Sequence, residues 1–278
     1  LQLTEAALQQ LEWRQSPLLA QSQSVDLAAF QQVLAPDQQA IVYAGVNQEL
    51  LAFLVDRTSV QLYRRLTTLP VLQGAIDEFR FQMGRVEVDP AYVARHRQRL
   101  AARLQEALQQ LYQLLLAPLA PALYAQRLLF VPFGPIHRLP LHALWDGARY
   151  LIERAECSYT PSASLAVFRQ ERTSAQPLVR WAGFALNDPA IPADRQELEQ
   201  VARHFTHATA YFDAQANRQQ LWQAAAATDI LHLATHGLFR PDNPFFSALK
   251  LADGWVDVRE LYRLPLSARL VVLSACES

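Results

Sequence analysis

The sequence predicts an α/β protein. Its second half is expected to be a mostly parallel sheet flanked by helices, and its first half another α/β unit that contains an antiparallel meander. Beyond residue 180, short apolar runs alternate with helical segments of roughly 10–13 residues, the arrangement that joins parallel strands through crossover helices. Earlier in the chain, three runs rich in β-forming residues are separated by only a few polar residues, which is typical of neighbouring antiparallel strands.

The composition excludes several classes of protein. The chain has 278 residues, 51% of them hydrophobic, which is enough for one large core or two ordinary domains. Lys and Arg number 25 and Asp and Glu 26, without a basic cluster, so no nucleic-acid partner is expected. No apolar run approaches the ~20 residues that cross a bilayer, so no membrane partner is expected either. Two cysteines make no disulfide framework, which favours a reducing, cytoplasmic location.

The first predicted elements are helical and then extended. Residues 1–37 are expected to form a helical lead-in, because they are rich in Gln, Leu and Ala and space their apolar residues as a helix does. The meander follows in the runs 40–46, 50–56 and 59–66.

A long helical region follows the meander. Asp89 is a candidate N-cap before Pro90, a residue that suits the first helical turn. Pro118 and Pro121 are expected to end the helix. Between Pro90 and Pro118, one apolar stripe at steps of three and four predicts a helix face buried in the core. It is formed by Leu100, Leu104, Leu108, Leu111 and Leu115.

The segment up to residue 172 completes the first half. A buried strand is predicted at 127–134, where it runs into a Pro/Gly turn, and then a short helix, a turn at 146–147, a strand and another helix. The polar stretch 170–180 is expected to link two domains, 38–172 and 180–278.

Four strands and three helices are predicted in the second half. The strands are expected at 180–186, 208–212, 229–236 and 269–275, and the helices at 193–205, 217–227 and 259–264. Asp194 with Glu197 has the spacing of a capping box at the first helix, and Asn217 with Gln220 has it at the second.

Two of these strands end on side chains that can carry chemistry. "ILHLATHG" ends on His236 and Gly237, and "LVVLSACE" reaches Cys276. In an open parallel sheet, functional residues collect at the carboxyl ends of the strands. A cysteine nucleophile needs a base to form its thiolate, and backbone N–H donors for the developing oxyanion. The two strand ends contain the residue types for all three roles.

These stretches resemble the paired signatures of the CHAT family, a caspase-like family often associated with tetratricopeptide repeats. The family pattern is an apolar strand into A-T-H-G, followed by a strand into S-A-C-E-[ST], as in "HLATHG" and "LVVLSACES". Four further stretches fit the family in order and spacing: 128–153, 159–165, 183–205 and 243–266. The resemblance covers roughly residues 38–278. The 40-residue interval from the histidine to the cysteine is compatible with the interval of about 50 in caspases.

The resemblance implies a caspase-like fold and a cysteine endopeptidase that acts on protein substrates. His236 would be the base or proton shuttle and Cys276 the nucleophile, while the N–H groups of Gly237 and Cys276 would form the oxyanion hole. Residues 38–172 would be a degenerate partner half without catalytic residues. A repeat or regulatory domain is expected outside this chain. The chain starts without Met and stops two residues after Cys276, so we expect a truncated chain with little activity of its own.

Other residues admit simpler interpretations. His232 and His236 have the spacing of a metal-binding pair, but four residues of strand span about 13 Å, so neither a metal nor a cofactor is expected. His232 is then a core residue or a neighbour of the site. Asp188 is either a turn former before Pro189 or part of a pocket for a basic substrate residue. Cys157 is expected to be buried and inert.

Two other functions stay open at the level of sequence. The first is a non-proteolytic interaction or signalling module that kept the caspase-like fold. The second is an unrelated α/β hydrolase, which the absence of a G-x-S-x-G motif disfavours.

Overall fold

A computed structural model of the protein describes residues 26–87, 90–172, 177–186, 194–240 and 243–275. The chain divides into two compact units, Leu1–Arg172 and Thr173–Ser278. Each is a mixture of helices and strands, which confirms the predicted α/β class. Among the described helices, none combines the length and the apolar character that crossing a bilayer requires.

The sheet of the first unit has five strands in the order β3–β2–β1–β4–β5. Their bounds are Gln38–Val46 (β1), Glu49–Val55 (β2), Val60–Thr68 (β3), Arg127–Val131 (β4) and Glu156–Tyr159 (β5). The predicted meander is confirmed, because β1 pairs with β2 and β2 with β3, both antiparallel. On the other side, β1 pairs with β4 and β4 with β5, both parallel.

The described part of the first unit contains four α-helices: Leu27–Val33 (α1), Leu69–Glu87 (α2), Pro90–Leu115 (α3) and Ala163–Arg172 (α4). The predicted leucine stripe lies on α3, where four of its five members are buried and Leu104 is half-buried. Leu108, Leu111 and Leu115 belong to one core with residues of the sheet and of α2 such as Ile41 and Leu72, and Leu104 packs against it. Each fully buried leucine contributes roughly 2 kcal/mol, so the stripe fastens α3 to this core. The predicted N-cap Asp89 lies outside the described residues.

The second unit is built on a four-stranded, fully parallel sheet in the order β12–β8–β6–β7. Its strands are Arg180–Ala185 (β6), His207–Phe212 (β7), Ile230–Ala234 (β8) and Leu270–Ser274 (β12). Helix α5 (Asp194–Ala202) packs Leu198 against one face, and helix α6 (Arg218–Ala227) packs Leu221 against the other. The predicted parallel sheet flanked by helices is therefore confirmed.

A small antiparallel sheet lies between β8 and β12 in the sequence. It consists of Gly237–Leu238 (β9), Ala248–Leu251 (β10) and Gly254–Asp257 (β11), in the order β11–β10–β9. The short helix α7 (Val258–Leu261) follows and overlaps the helix predicted at 259–264, and Asp257 and Glu260 form its capping box. The sheet matters for the site because β9 begins directly after His236.

Candidate active site

The carboxyl ends of β8 and β12 lie side by side. The two strands pair in parallel over five residues, from Leu270 opposite Ile230 to Ser274 opposite Ala234. The ladder extends one step further, because the N–H of Thr235 donates to the carbonyl of Ser274 at 3.1 Å. The A-T-H-G and S-A-C-E motifs therefore continue from two directly opposed residues, Ala234 and Ser274, at the carboxyl ends of β8 and β12.

The backbone around His236 is held by β10. The carbonyl of His236 accepts a hydrogen bond from the N–H of Lys250 at 2.9 Å, and Gly237 pairs with Leu249. The hydroxyl of Thr235 donates to the carbonyl of Lys250 at 2.6 Å. His236 is half-buried and sits between these anchored neighbours. Hydrogen bonds of the His236 carbonyl and of the Thr235 hydroxyl therefore hold this stretch against β10.

The strand that holds His236 is itself anchored by Arg218, the first residue of α6. The guanidinium lies 3.2 Å from the Glu260 carboxylate and 3.6 Å from that of Asp253. It also donates to the carbonyls of Asp253 and Trp255. Arginine presents several donors in a rigid fork and can bind all of these groups at once. Arg218 therefore ties the β10–β11 hairpin to the helix that packs under the parallel sheet.

A polar cluster lies at the end of β12, on the face covered by α5. We call it the Glu197 cluster; it consists of Glu197, His232 and Ser274. The Ser274 hydroxyl donates to Oε1 of Glu197 at 2.7 Å, and Nε2 of His232 lies 3.0 Å from the same oxygen. Nε2 of His232 is also 3.3 Å from the Ser274 hydroxyl. The three groups therefore contact one another pairwise and join α5, β8 and β12.

The Glu197 cluster does not have the geometry of a serine triad. In a triad, the base accepts the serine proton on one ring nitrogen, and the carboxylate orients the other nitrogen. Here the serine donates to the carboxylate, and both groups contact the same nitrogen of His232. The cluster is suited to holding three elements together rather than to activating Ser274.

The side chain of His232 is buried against Trp181. Its side chain is 3% exposed, and the Trp181 ring meets it edge-on with ring centroids 6.0 Å apart. Trp181 in turn stacks on Phe205. Gly183 is the β6 residue opposite His232, and a Cβ atom there would overlap the Trp181 ring. The missing side chain at Gly183 is thus what allows the indole to lie beside the histidine.

The comparison with known families fits this architecture. The CHAT domain family matches residues 105–278, more than half of the chain, and the match includes β8, His236, β12 and the "SACES" stretch. The chain belongs to the CHAT domain family. The family implies a caspase-like fold and is associated with caspase-like cysteine peptidases. Comparison with curated proteins gave no match.

The sequence-predicted site residues of the CHAT region have different outcomes. His236 and Gly237 lie together at the junction of β8 and β9, beside β10. Cys276 and Asp188 lie outside the described residues. The nucleophile, the oxyanion hole and the pocket for a basic substrate residue therefore stay predictions.

The Glu197 cluster was missed by the sequence reasoning. The spacing of Glu197 from Asp194 favours a capping box, and Ser274 reads as a small residue beside the cysteine. The one available signal was His232, a polar residue in an otherwise apolar strand, since a buried imidazole needs hydrogen-bond partners. Its partners are 35 and 42 positions away in the sequence and could not be named from local pattern.

The other cysteine of the chain has the properties of an unreactive thiol. Cys157 lies in β5 and is half-buried, not fully buried as predicted, and its Sγ donates to the carbonyl of Ala155. Burial raises the pKa of this thiol to about 11; the nearby charge of Arg154 opposes the shift and that of Glu156 adds to it. At neutral pH it is protonated and is a poor nucleophile. Within the described parts of the chain, no group of three or more His, Cys, Asp or Glu side chains could hold a metal ion.

Proposed function

We propose that the protein is a CHAT-type cysteine endopeptidase that cleaves protein substrates with His236 and Cys276. The observation that carries the proposal is the register of β8 and β12. Ala234 and Ser274 are directly opposed, and each stands two residues before one member of the pair. Parallel strands that continue from an opposed pair deliver the residues that follow them to the same edge of the sheet.

The proposed chemistry proceeds through a thioester. The Cys276 thiolate attacks the carbonyl carbon of the scissile peptide, and the N–H groups of Gly237 and Cys276 stabilise the oxyanion. The C–N bond breaks as the leaving amine takes a proton from the His236 imidazolium. His236 then accepts a proton from water, whose oxygen attacks the thioester and releases the acid and the thiolate.

Two features of the described residues support this assignment. Lys250 on β10 binds the carbonyl of His236 and the hydroxyl of the neighbouring Thr235, which favours a defined position for the His236 ring. Gly237 has no side chain, so a substrate carbonyl can approach its backbone N–H closely. The association of the family with cysteine peptidases points in the same direction.

Substitution of either residue tests the proposal. We expect Cys276→Ala and His236→Ala, each made in the full-length protein, to lower peptide-bond cleavage by at least about 10³-fold, because the nucleophile and its base act as a unit. Cleavage is measured by mass spectrometry on a peptide library prepared from a proteome digest. Cys157→Ala is the matched control and should keep full activity. Full cleavage by either His236→Ala or Cys276→Ala would refute the proposal and favour a non-proteolytic module.

A further inference from the structure

We propose that Glu197, His232 and Ser274 are positioning residues of the candidate active site, which fix the carboxyl end of β12 and thereby the approach of Cys276. The inference rests on the proposed function, because the role that it gives the Glu197 cluster is exerted on the nucleophile. None of the three residues is required to touch the substrate.

The contacts of the Glu197 cluster converge on the last residue of β12. Side-chain hydrogen bonds link Ser274 to Glu197 on α5 and to His232 on β8, at 2.7 and 3.3 Å. The main chain of Ser274 is held as well, because its carbonyl accepts from the N–H of Thr235. Ser274 is therefore anchored through both its backbone and its side chain, two residues before Cys276.

The burial of the Glu197 cluster makes its polar contacts necessary. His232 is 3% exposed and Ser274 is half-buried, while the Glu197 side chain is 38% exposed and can admit water on its outer side. An apolar side chain at position 232 could pack against Trp181 without any partner. Nε2 of His232 contacts both Glu197 and Ser274, and losing these contacts would leave a buried polar atom unsatisfied, so they favour one arrangement of the three elements.

The position of a nucleophile is demanding enough for such an anchor to matter. Productive geometry is needed to within about 0.5 Å, and a misplacement of about 1 Å can cost a factor of about 100 in rate. In the described residues β12 lies at one edge of the parallel sheet, with β8 as its neighbour. The Glu197 cluster ties its end to a third element, α5, which a strand pair alone would not do.

Alkylation of the two thiols tests the inference without a known substrate. The rate constants for the reaction of Cys276 and Cys157 with iodoacetamide at pH 7 are measured by mass spectrometry on the full-length protein. Ser274→Ala and Glu197→Gln remove parts of the cluster, and Ser274→Thr restores the hydroxyl. Glu199→Gln is the matched control, since Glu199 lies on the same helix but pairs with Arg195 at the surface. Thermal unfolding shows which variants are folded.

The expected result separates positioning from a merely structural role. In the unmodified protein, Cys276 should react at least about 100-fold faster than Cys157, because a catalytic thiol has a lowered pKa. Ser274→Ala and Glu197→Gln should slow Cys276 by about tenfold or more while Cys157 is unaffected. Glu199→Gln should change neither thiol, and Ser274→Thr should recover the rate.

Three outcomes would each refute a different assignment: the positioning role, the role of the Ser274 hydroxyl, or the proposed function. Unchanged Cys276 rates in folded Ser274→Ala and Glu197→Gln would refute the positioning role and leave the proposed function standing. A Ser274→Thr variant as slow as Ser274→Ala would refute the role of the hydroxyl. Equal rates for Cys276 and Cys157 in the unmodified protein would refute the proposed function and the positioning role with it. If Glu197→Gln does not fold, the comparison of Ser274→Ala with Ser274→Thr decides.

Discussion

At the scale of single residues, the surroundings of His232 depend on an atom that Gly183 lacks. The Trp181 ring crosses the position that a Cβ atom would occupy, and the same ring meets the imidazole edge-on. The Trp181 side chain is almost fully buried, so the ring has little room to move away. The absence of a side chain at Gly183 therefore determines how Trp181 packs beside the Glu197 cluster.

Gly183→Ala should destabilise the second unit. The added methyl group forces the indole out of its place, and overpacking of this kind costs about 1–3 kcal/mol. Gly74→Ala on α2 is the contrast, because a methyl group there meets no atom within 4 Å. That change should raise the free energy of unfolding by about 0.5–1 kcal/mol. Urea unfolding measures both, and a neutral Gly183→Ala would show that the ring can be accommodated elsewhere.

The thiol of Cys157 makes a separate prediction at the residue scale. With a pKa of about 11 caused mainly by burial, only about one molecule in 10⁴ carries the thiolate at pH 7. In Cys276→Ala, where Cys157 is the remaining cysteine, alkylation by iodoacetamide should be slow at pH 7 and should speed up about tenfold per pH unit until the pH approaches 11. A rate that levels off near pH 8 would contradict the buried environment.

At the scale of elements, hydrogen bonds of Asp229 link the amino-terminal ends of three parallel strands. Its carboxylate accepts hydrogen bonds from the N–H groups of Val179 and Arg180 before and in β6. Its main-chain carbonyl accepts from the N–H groups of Arg269 and Leu270 at the start of β12. Asp229 itself directly precedes β8. The hydrogen bond from the Arg180 side chain, followed by that from the Arg180 N–H, holds the pKa of the Asp229 carboxyl well below its usual value.

The stability contributed by Asp229 should therefore depend on pH. A carboxyl whose pKa is lower in the folded state stabilises that state above its unfolded value of 3.8, and the contribution is lost as the pH falls below that value. Asp229→Asn should unfold at a lower urea concentration than the unmodified protein at pH 7. The difference should shrink between roughly pH 5 and pH 2. A difference that stays constant over this range would show that the charge contributes nothing.

The sequence predicted those elements whose signals are local. The leucine stripe of α3 and the meander repeat within a few residues. The Asn217 side chain caps α6 by accepting from the N–H of Gln220, which is one of the two bonds of the predicted capping box. The position of His236 and Gly237 just beyond a strand follows from the same local pattern. The order of strands has no such signal, because the placement of β1 between β2 and β4 is decided by packing across the unit.

The remaining misses have the same physical origin. The Glu197 cluster joins residues that are up to 77 positions apart, so neither helical nor strand periodicity can reveal it. The two residues of β9 are too few to show alternation, although they pair with β10 beside His236. Very short strands and contacts between residues far apart in the sequence therefore leave no pattern in the sequence and are visible only in the structure.

At the scale of the whole molecule, the family match and the structural unit have different borders. The CHAT match begins at residue 105, inside α3, whereas the first unit also needs the elements before it. β1 is the parallel partner of β4 over five residues, from Gln38 opposite Arg127 to Val42 opposite Val131. Without β1, the matched segment would retain β4 without its inner neighbour.

A fragment that contains only residues 105–278 should therefore fold incompletely. It lacks β1, β2, β3 and α2, so β4 and the remaining part of α3 would expose apolar surface that the first unit buries. We expect limited proteolysis to cut within 105–172 at least about tenfold faster than in the complete chain. Fragment 26–278 keeps every described element and serves as the control. Equal cleavage of both fragments would mean that the family segment is self-sufficient.

Lys250 has a practical consequence for the study of this site. It is the only lysine among 278 residues, its ammonium lies 5.4 Å from the centre of the Trp255 ring, and its backbone N–H binds the carbonyl of His236. Within these 278 residues, an amine-reactive fluorophore has one lysine to react with. The native sequence therefore offers an optical reporter beside the candidate catalytic histidine, through which substrate arrival could be followed in real time.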